Sequence, residues 1–110
     1  MTDPVDLTHL RELTGGDREM EERLFELFCA SSEECIQTLE QNCTDGENMD
    51  WRKQAHALKG SAVNIGANSL GTACAEAQEA FSASSSDKTT LLQSIKAEYQ
   101  KTRDFLKKVS

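Results

Sequence analysis

Few residues in this chain are of types that could do chemistry: two histidines, four cysteines, and a lysine and a glycine close behind one of the histidines. His56 is followed by Lys59 at i+3 and Gly60 at i+4, so on a helix both lie beside the imidazole, one turn along. Neutral imidazole, with an unperturbed pKa of about 6.5, is a good nucleophile near neutral pH. A glycine inside a helix costs about 1 kcal/mol relative to alanine, which points to something approaching the backbone closely at Gly60. The ammonium of Lys59 can meet an anion carried on the ring. An imidazole with a cation and a steric gap beside it suits transient phosphorylation on a ring nitrogen.

Other chemistries find less support. Cys29, Cys35, Cys43 and Cys74 include no C-x-x-C pair, which argues against a zinc knuckle or a thioredoxin-like redox site. Their even number leaves two disulfides arithmetically open. Because Met1-Thr2-Asp3-Pro4 lacks the basic and apolar regions of a secretory signal, free and partly buried thiols are expected instead. His9 and His56 are far apart in sequence, and neither a metal site nor a resident cofactor is expected. No paired carboxylates or nucleophile–base spacing mark a hydrolase, and no glycine-rich nucleotide-binding box occurs. The chain is accordingly read as a non-enzyme with no kinase site of its own.

The elements that must position these residues read as helical almost throughout. Pro4 is the one proline, and the glycines fall at 15, 16, 46, 60, 66 and 71. A short first helix is expected from an Asp6 N-cap through Leu7, Leu10 and Leu13 to Gly15-Gly16. Asp17 caps a second, with Met20, Leu24, Leu27, Phe28, Cys35 and Leu39 as its inward stripe, ending near Cys43 before Thr44-Asp45-Gly46. A third covers about Met49 to Ile65 and stops at Gly66. The fourth runs from about Asn68 to Phe81, with Leu70, Ala73, Cys74, Ala77 and Phe81 on one stripe. Ser82 to Ser86 reads as a loop ending in a cap. The last helix spans about Asp87 to Val109, with Leu91, Ile95, Tyr99, Leu106 and Val109 inward. The expected fold is all-α: an antiparallel up-and-down four-helix bundle with a short extra N-terminal helix, one domain over residues 1–110.

On a wheel of about 100° per residue, Trp51, Ala55, Leu58, Ala62 and Ile65 of the third helix fall within one arc, the core stripe. Arg52, His56, Lys59, Gly60 and Val63 lie opposite. His56 therefore points away from the bundle interior, where a histidine that merely packs would sit. Gln78 on the fourth helix lies about 80° from Leu70, at the edge of the apolar stripe and within reach of the neighbouring helix surface.

With 110 residues the chain can build one core and not two. Twelve Lys and Arg against 19 Asp and Glu leave a net charge of −7, which argues against binding nucleic acid. No apolar run approaches the roughly 18 residues of a membrane span, and a cytoplasmic location is expected. From Asp50 to Gly66 the net is +2, leaving −9 for the remainder. A small basic face on an acidic domain suits docking against an acidic, metal-bearing phosphate site on another protein.

At this point His56-Ala57-Leu58-Lys59-Gly60, followed after five residues by Gly66, resembles the H-x-L-K-G signature of histidine-containing phosphotransfer (HPt) domains. The likeness runs along nearly the whole chain. Asp6-Leu7 through Gly15-Gly16-Asp17, and then Leu24-Phe25-Glu26-Leu27-Phe28, is similar to the usual start of such domains, and Gln78 falls where the family often places a glutamine near the imidazole. The resemblance implies a multistep two-component phosphorelay, in which His56 accepts a phosphoryl group from the aspartate of one receiver domain and passes it to another. It further implies that Lys59 offsets phosphate charge, that Gly60 provides clearance, and that Gln78 orients the ring. The Mg²⁺ would belong to the receiver. Arg52, Val63, Leu10 and Leu13 would meet the receivers, which belong to response regulators and to a hybrid histidine kinase, with plain core packing as the simpler alternative for each of the two leucines.

Two rival readings remain in view. A histidine kinase dimerisation domain also presents a histidine on a helical bundle, but such domains commonly place an acidic residue where Ala57 stands. They also pair two-helix hairpins, whereas this chain carries four long helices and is expected to be a monomer and a stand-alone protein. The other rival is a non-phosphorylated helical adaptor whose basic face binds an acidic partner.

Overall fold

Carboxylates and glycines set the first boundaries of the computed structural model, which describes residues 4–43 and 48–109. Asp6 accepts from the N–H groups of Thr8 and His9, at 3.1 and 3.3 Å, to open α1 (Leu7–Thr14). Gly15 closes α1 at φ 65°, a left-handed conformation that glycine adopts without strain. Asp17 then accepts from the Met20 N–H at 3.2 Å and opens α2 (Arg18–Gln41). After α2 come α3 (Asn48–Asn64), α4 (Asn68–Glu79) and α5 (Ser85–Val109), and among the described residues there is no strand. The expected Thr44-Asp45-Gly46 turn lies outside the described residues.

α3 packs against α2 and α4, and α5 against α4 and α2, so the four long helices enclose one core while α1 lies against α2. That core gathers Phe28, Leu39, Trp51, Leu58, Leu70, Ile95 and Leu106, each buried. Lys88 is also buried. Its Nζ donates to Asn48 Oδ1 at 2.8 Å and sits 5.6 Å from the centre of the Trp51 ring, so the charge keeps polar and π partners. No helix among the described residues is long and apolar enough to cross a membrane.

Several inward assignments need correction. Met20 and Leu27 are 47% and 67% exposed, and Phe25 and Ile36 take the core side of α2 instead. α4 ends at Glu79, so Phe81 is not on its stripe; it lies half-buried in the following turn. On α5 the inward assignment holds, with Ile95, Tyr99 and Leu106 buried and Leu91 and Val109 half-buried against the core, and Leu92 joins them. α5 starts at Ser85, two residues early, because Ser84 Oγ accepts from the Asp87 N–H at 3.2 Å and caps it there.

Gly66 joins α1 to the end of α3. Its φ is 84°, and its carbonyl accepts from the Asp6 N–H at 2.8 Å. A β-carbon at Gly66 would stand 2.9 Å from the Asp6 carbonyl oxygen, so both conformation and clearance call for glycine. His9 reinforces the join: its Nε2 lies 3.1 Å from the Asn64 carbonyl, to which it can only donate.

Candidate functional site

The spacing of small and large apolar residues gives α3 an inner face on which Trp51, Ala55, Leu58 and Ala62 are fully buried. The Trp51 indole N–H donates to the Ala77 carbonyl of α4 at 2.8 Å, inside the core. That bond fixes the axial register of α3 against α4. In the same register, one residue beyond Ala77, Gln78 brings Oε1 to 3.4 Å from Nδ1 of the exposed His56. The contact is long; because an amide oxygen only accepts, it forms in the tautomer that carries its proton on Nδ1, and that tautomer leaves the Nε2 lone pair free.

Around the imidazole the outer face of α3 is exposed at Arg52, Gly60 and Val63 and half-buried at Lys59. Among the described residues no carboxylate lies within 4 Å of Arg52 or Lys59, although the chain carries a surplus of acidic groups. A groove of about 260 Å³ runs beside the site, lined by Arg52, Lys59, Ala75, Gln78, Glu79 and Phe81. Within it the Arg52 guanidinium carbon lies over the Phe81 ring, 5.1 Å from its centre, a cation–π contact. A methyl group added at Gly60 would meet nothing within 4 Å, so packing inside the chain does not require glycine there.

The four candidates for partner contact fare differently. Arg52 and Val63 are exposed, the latter resting on Gly71, and Leu13 is 54% exposed. Leu10 is fully buried in the core and offers no surface, which removes it from any contact face. Met20 and Leu27, by contrast, were assigned inward and turn out to be free. Their position follows from the α5 contacts of α2: the Tyr99 hydroxyl donates to Glu33 Oε2 at 2.7 Å, and Lys96 pairs with Glu40. At about 100° per residue Met20 and Leu27 lie on the other flank of the α2 core stripe, away from the α5 contacts. The i, i+7 spacing of this exposed apolar pair was a usable signal.

The cysteines lie apart from this face. All four are unbonded, and Cys35 and Cys74 are buried. Burial pushes the Cys74 thiol up from 9.0 to about 12 and raises Cys35 as well. Among the described residues no three His, Cys, Asp or Glu side chains converge as metal ligands would.

No curated protein and no solved structure gives a significant match to the chain. The family model of the Hpt domain, however, matches residues 23–105, most of the chain and all of α3 and α4. With the exposed histidine and its lysine–glycine neighbours inside that span, the chain belongs to the Hpt domain family, whose members carry phosphoryl groups on histidine in phosphorelays.

Proposed function

We propose that His56 is the phosphoacceptor of this domain, taking a phosphoryl group from the aspartate of one receiver domain and handing it to a second. The observation that carries this reading is the setting of the imidazole: exposed, with Gln78 Oε1 3.4 Å from Nδ1 and so on the side away from Nε2. In the forward step the Nε2 lone pair attacks phosphorus of the receiver's aspartyl phosphate. The P–N bond forms as the P–O bond to the carboxylate breaks, and the carboxylate leaves with the electron pair. The ring then carries a positive charge, which the Gln78 oxygen stabilises through Nδ1–H. Lys59 offsets the phosphoryl charge, and Gly60 leaves room for the donor. Transfer to the next receiver is the reverse step. Mg²⁺ is a constituent of the receiver's acidic pocket, and this chain supplies no ligand to it.

Docking falls to Leu13, Val63, Met20 and Leu27, exposed apolar side chains of α1, α2 and α3. Residues 42–47 span at most about 20 Å, whereas α2, with 24 residues, is about 36 Å long, so α3 turns back along α2. The whole arrangement is an up-and-down bundle in a single domain, acting as a cytoplasmic monomer that lacks a kinase site.

The test is phosphate transfer from Mg²⁺-loaded, phosphorylated receiver domains to wild type and to His56→Gln. Acid-labile phosphate is expected on wild type alone, with His56→Gln folded and within about 0.5 kcal/mol in stability, as befits an exposed site. Equal labelling of both proteins, or none on folded wild type across a broad receiver panel, overturns the reading in favour of a non-phosphorylated adaptor.

A further inference from the structure

The unpaired cations beside His56 are not equivalent. Lys59 is half-buried one turn after the histidine, on a flexible stem. Arg52 lies one turn before it and is exposed, and a long exposed side chain ordinarily samples many rotamers. Here it does not lie loose, because its guanidinium is laid on the ring of Phe81. Phe81 is half-buried just past the end of α4, where it packs against the edge of the core, and it lines the same groove as Arg52, Lys59 and Gln78. A cation held over a ring by its π face forms no hydrogen bond to it, so the guanidinium N–H groups stay available to donate.

We infer that Arg52 is a second phosphoryl-contacting cation, closing on the group carried by His56 from the side opposite Lys59, and that Phe81 is its positioning residue. The inference rests on His56 being the phosphoacceptor. A planar guanidinium matches two phosphoryl oxygens at once, which a single ammonium cannot do. Held in place beforehand, Arg52 loses little freedom when the phosphoryl group arrives. In a chain of net charge −7, two cations left without carboxylate partners within 4 Å beside one histidine mark an anion site.

The experiment loads the full chain with phosphoramidate, a small donor that needs no receiver, and follows phosphohistidine decay by ³¹P NMR. Receiver transfer is measured separately as kcat and KM. Arg52→Ala is expected to lose phosphate about three- to fivefold faster than wild type, the range of a partly exposed charge contact. Phe81→Leu should show most of that acceleration, Phe81→Trp should restore the wild-type rate, and the double variant Arg52→Ala/Phe81→Leu should decay no faster than Arg52→Ala. Wild-type decay in Arg52→Ala with only KM for receivers raised overturns the inference and makes Arg52 a partner contact. Fast decay in Arg52→Ala with wild-type decay in Phe81→Leu removes Phe81 from the mechanism. Wild type that takes up no phosphate overturns this inference and the phosphoacceptor reading together.

Discussion

Gly60 sets two demands against each other at a single residue. As an exposed position inside α3 it weakens the helix by about 1 kcal/mol relative to alanine, and no neighbour within 4 Å offers a packing reason for it. Gly60→Ala is therefore expected to raise unfolding stability by up to about 1 kcal/mol. Gly60→Leu should remain folded yet slow transfer from receivers at least about tenfold, a loss near 1.4 kcal/mol in the transition state. Denaturant melts and transfer kinetics on the same preparations check both halves. Wild-type kinetics in Gly60→Leu would show that no donor approaches there. His56, Lys59 and Gly60 could be found in the sequence because helical spacing alone makes them neighbours. Phe81 could not, because its value lies in a contact with Arg52 across two elements.

Among the elements, the join between α1 and α3 is the most constrained. Gly66→Ala must hold a left-handed φ, at about 1–2 kcal/mol, and there also push a β-carbon against the Asp6 carbonyl oxygen. A loss of about 2–3 kcal/mol is expected by thermal or chemical denaturation, with His56 still able to take phosphate in the protein that remains folded. A loss below about 0.5 kcal/mol would mean that α1 detaches readily. The helix ends were legible wherever a capping residue or a breaker marked them, as at Asp6, Gly15, Asp17 and Gly66. Sidedness was less so on α2, where apolar residues occupy more than half the circumference. Phe25 and Met20 are equally apolar in the sequence, and only the placement of α3 and α5 decides that one is core and the other surface. The buried face of α3 was legible because Trp51, Ala55, Leu58 and Ala62 share one arc, while polar residues surround Val63 on the other.

For the whole molecule, the packed core imposes a pH limit. Burial raises the Cys74 thiol from 9.0 to about 12, while in the unfolded chain it ionises near its ordinary value. A raised folded pKa means that the stabilisation is complete below pH about 9 and is lost as pH climbs toward about 12. Tyr99 moves in the same direction, through burial first and then its hydrogen bond to Glu33. The denaturation midpoint is therefore expected to fall steadily above pH about 9, and Cys74→Ala should flatten that fall. A level midpoint across this window in the wild type would contradict it. The overall charge balance and the single core were readable from composition, whereas the depth of Cys74 depended on four helices meeting. Those same helices enclose the chain's one tryptophan, with its indole N–H bonded to Ala77, one residue from Gln78. The domain thus carries its own optical probe: the fluorescence of Trp51 arises from a dry, fixed position at the back of the His56 site, so folding and the α3–α4 register can be followed without a label.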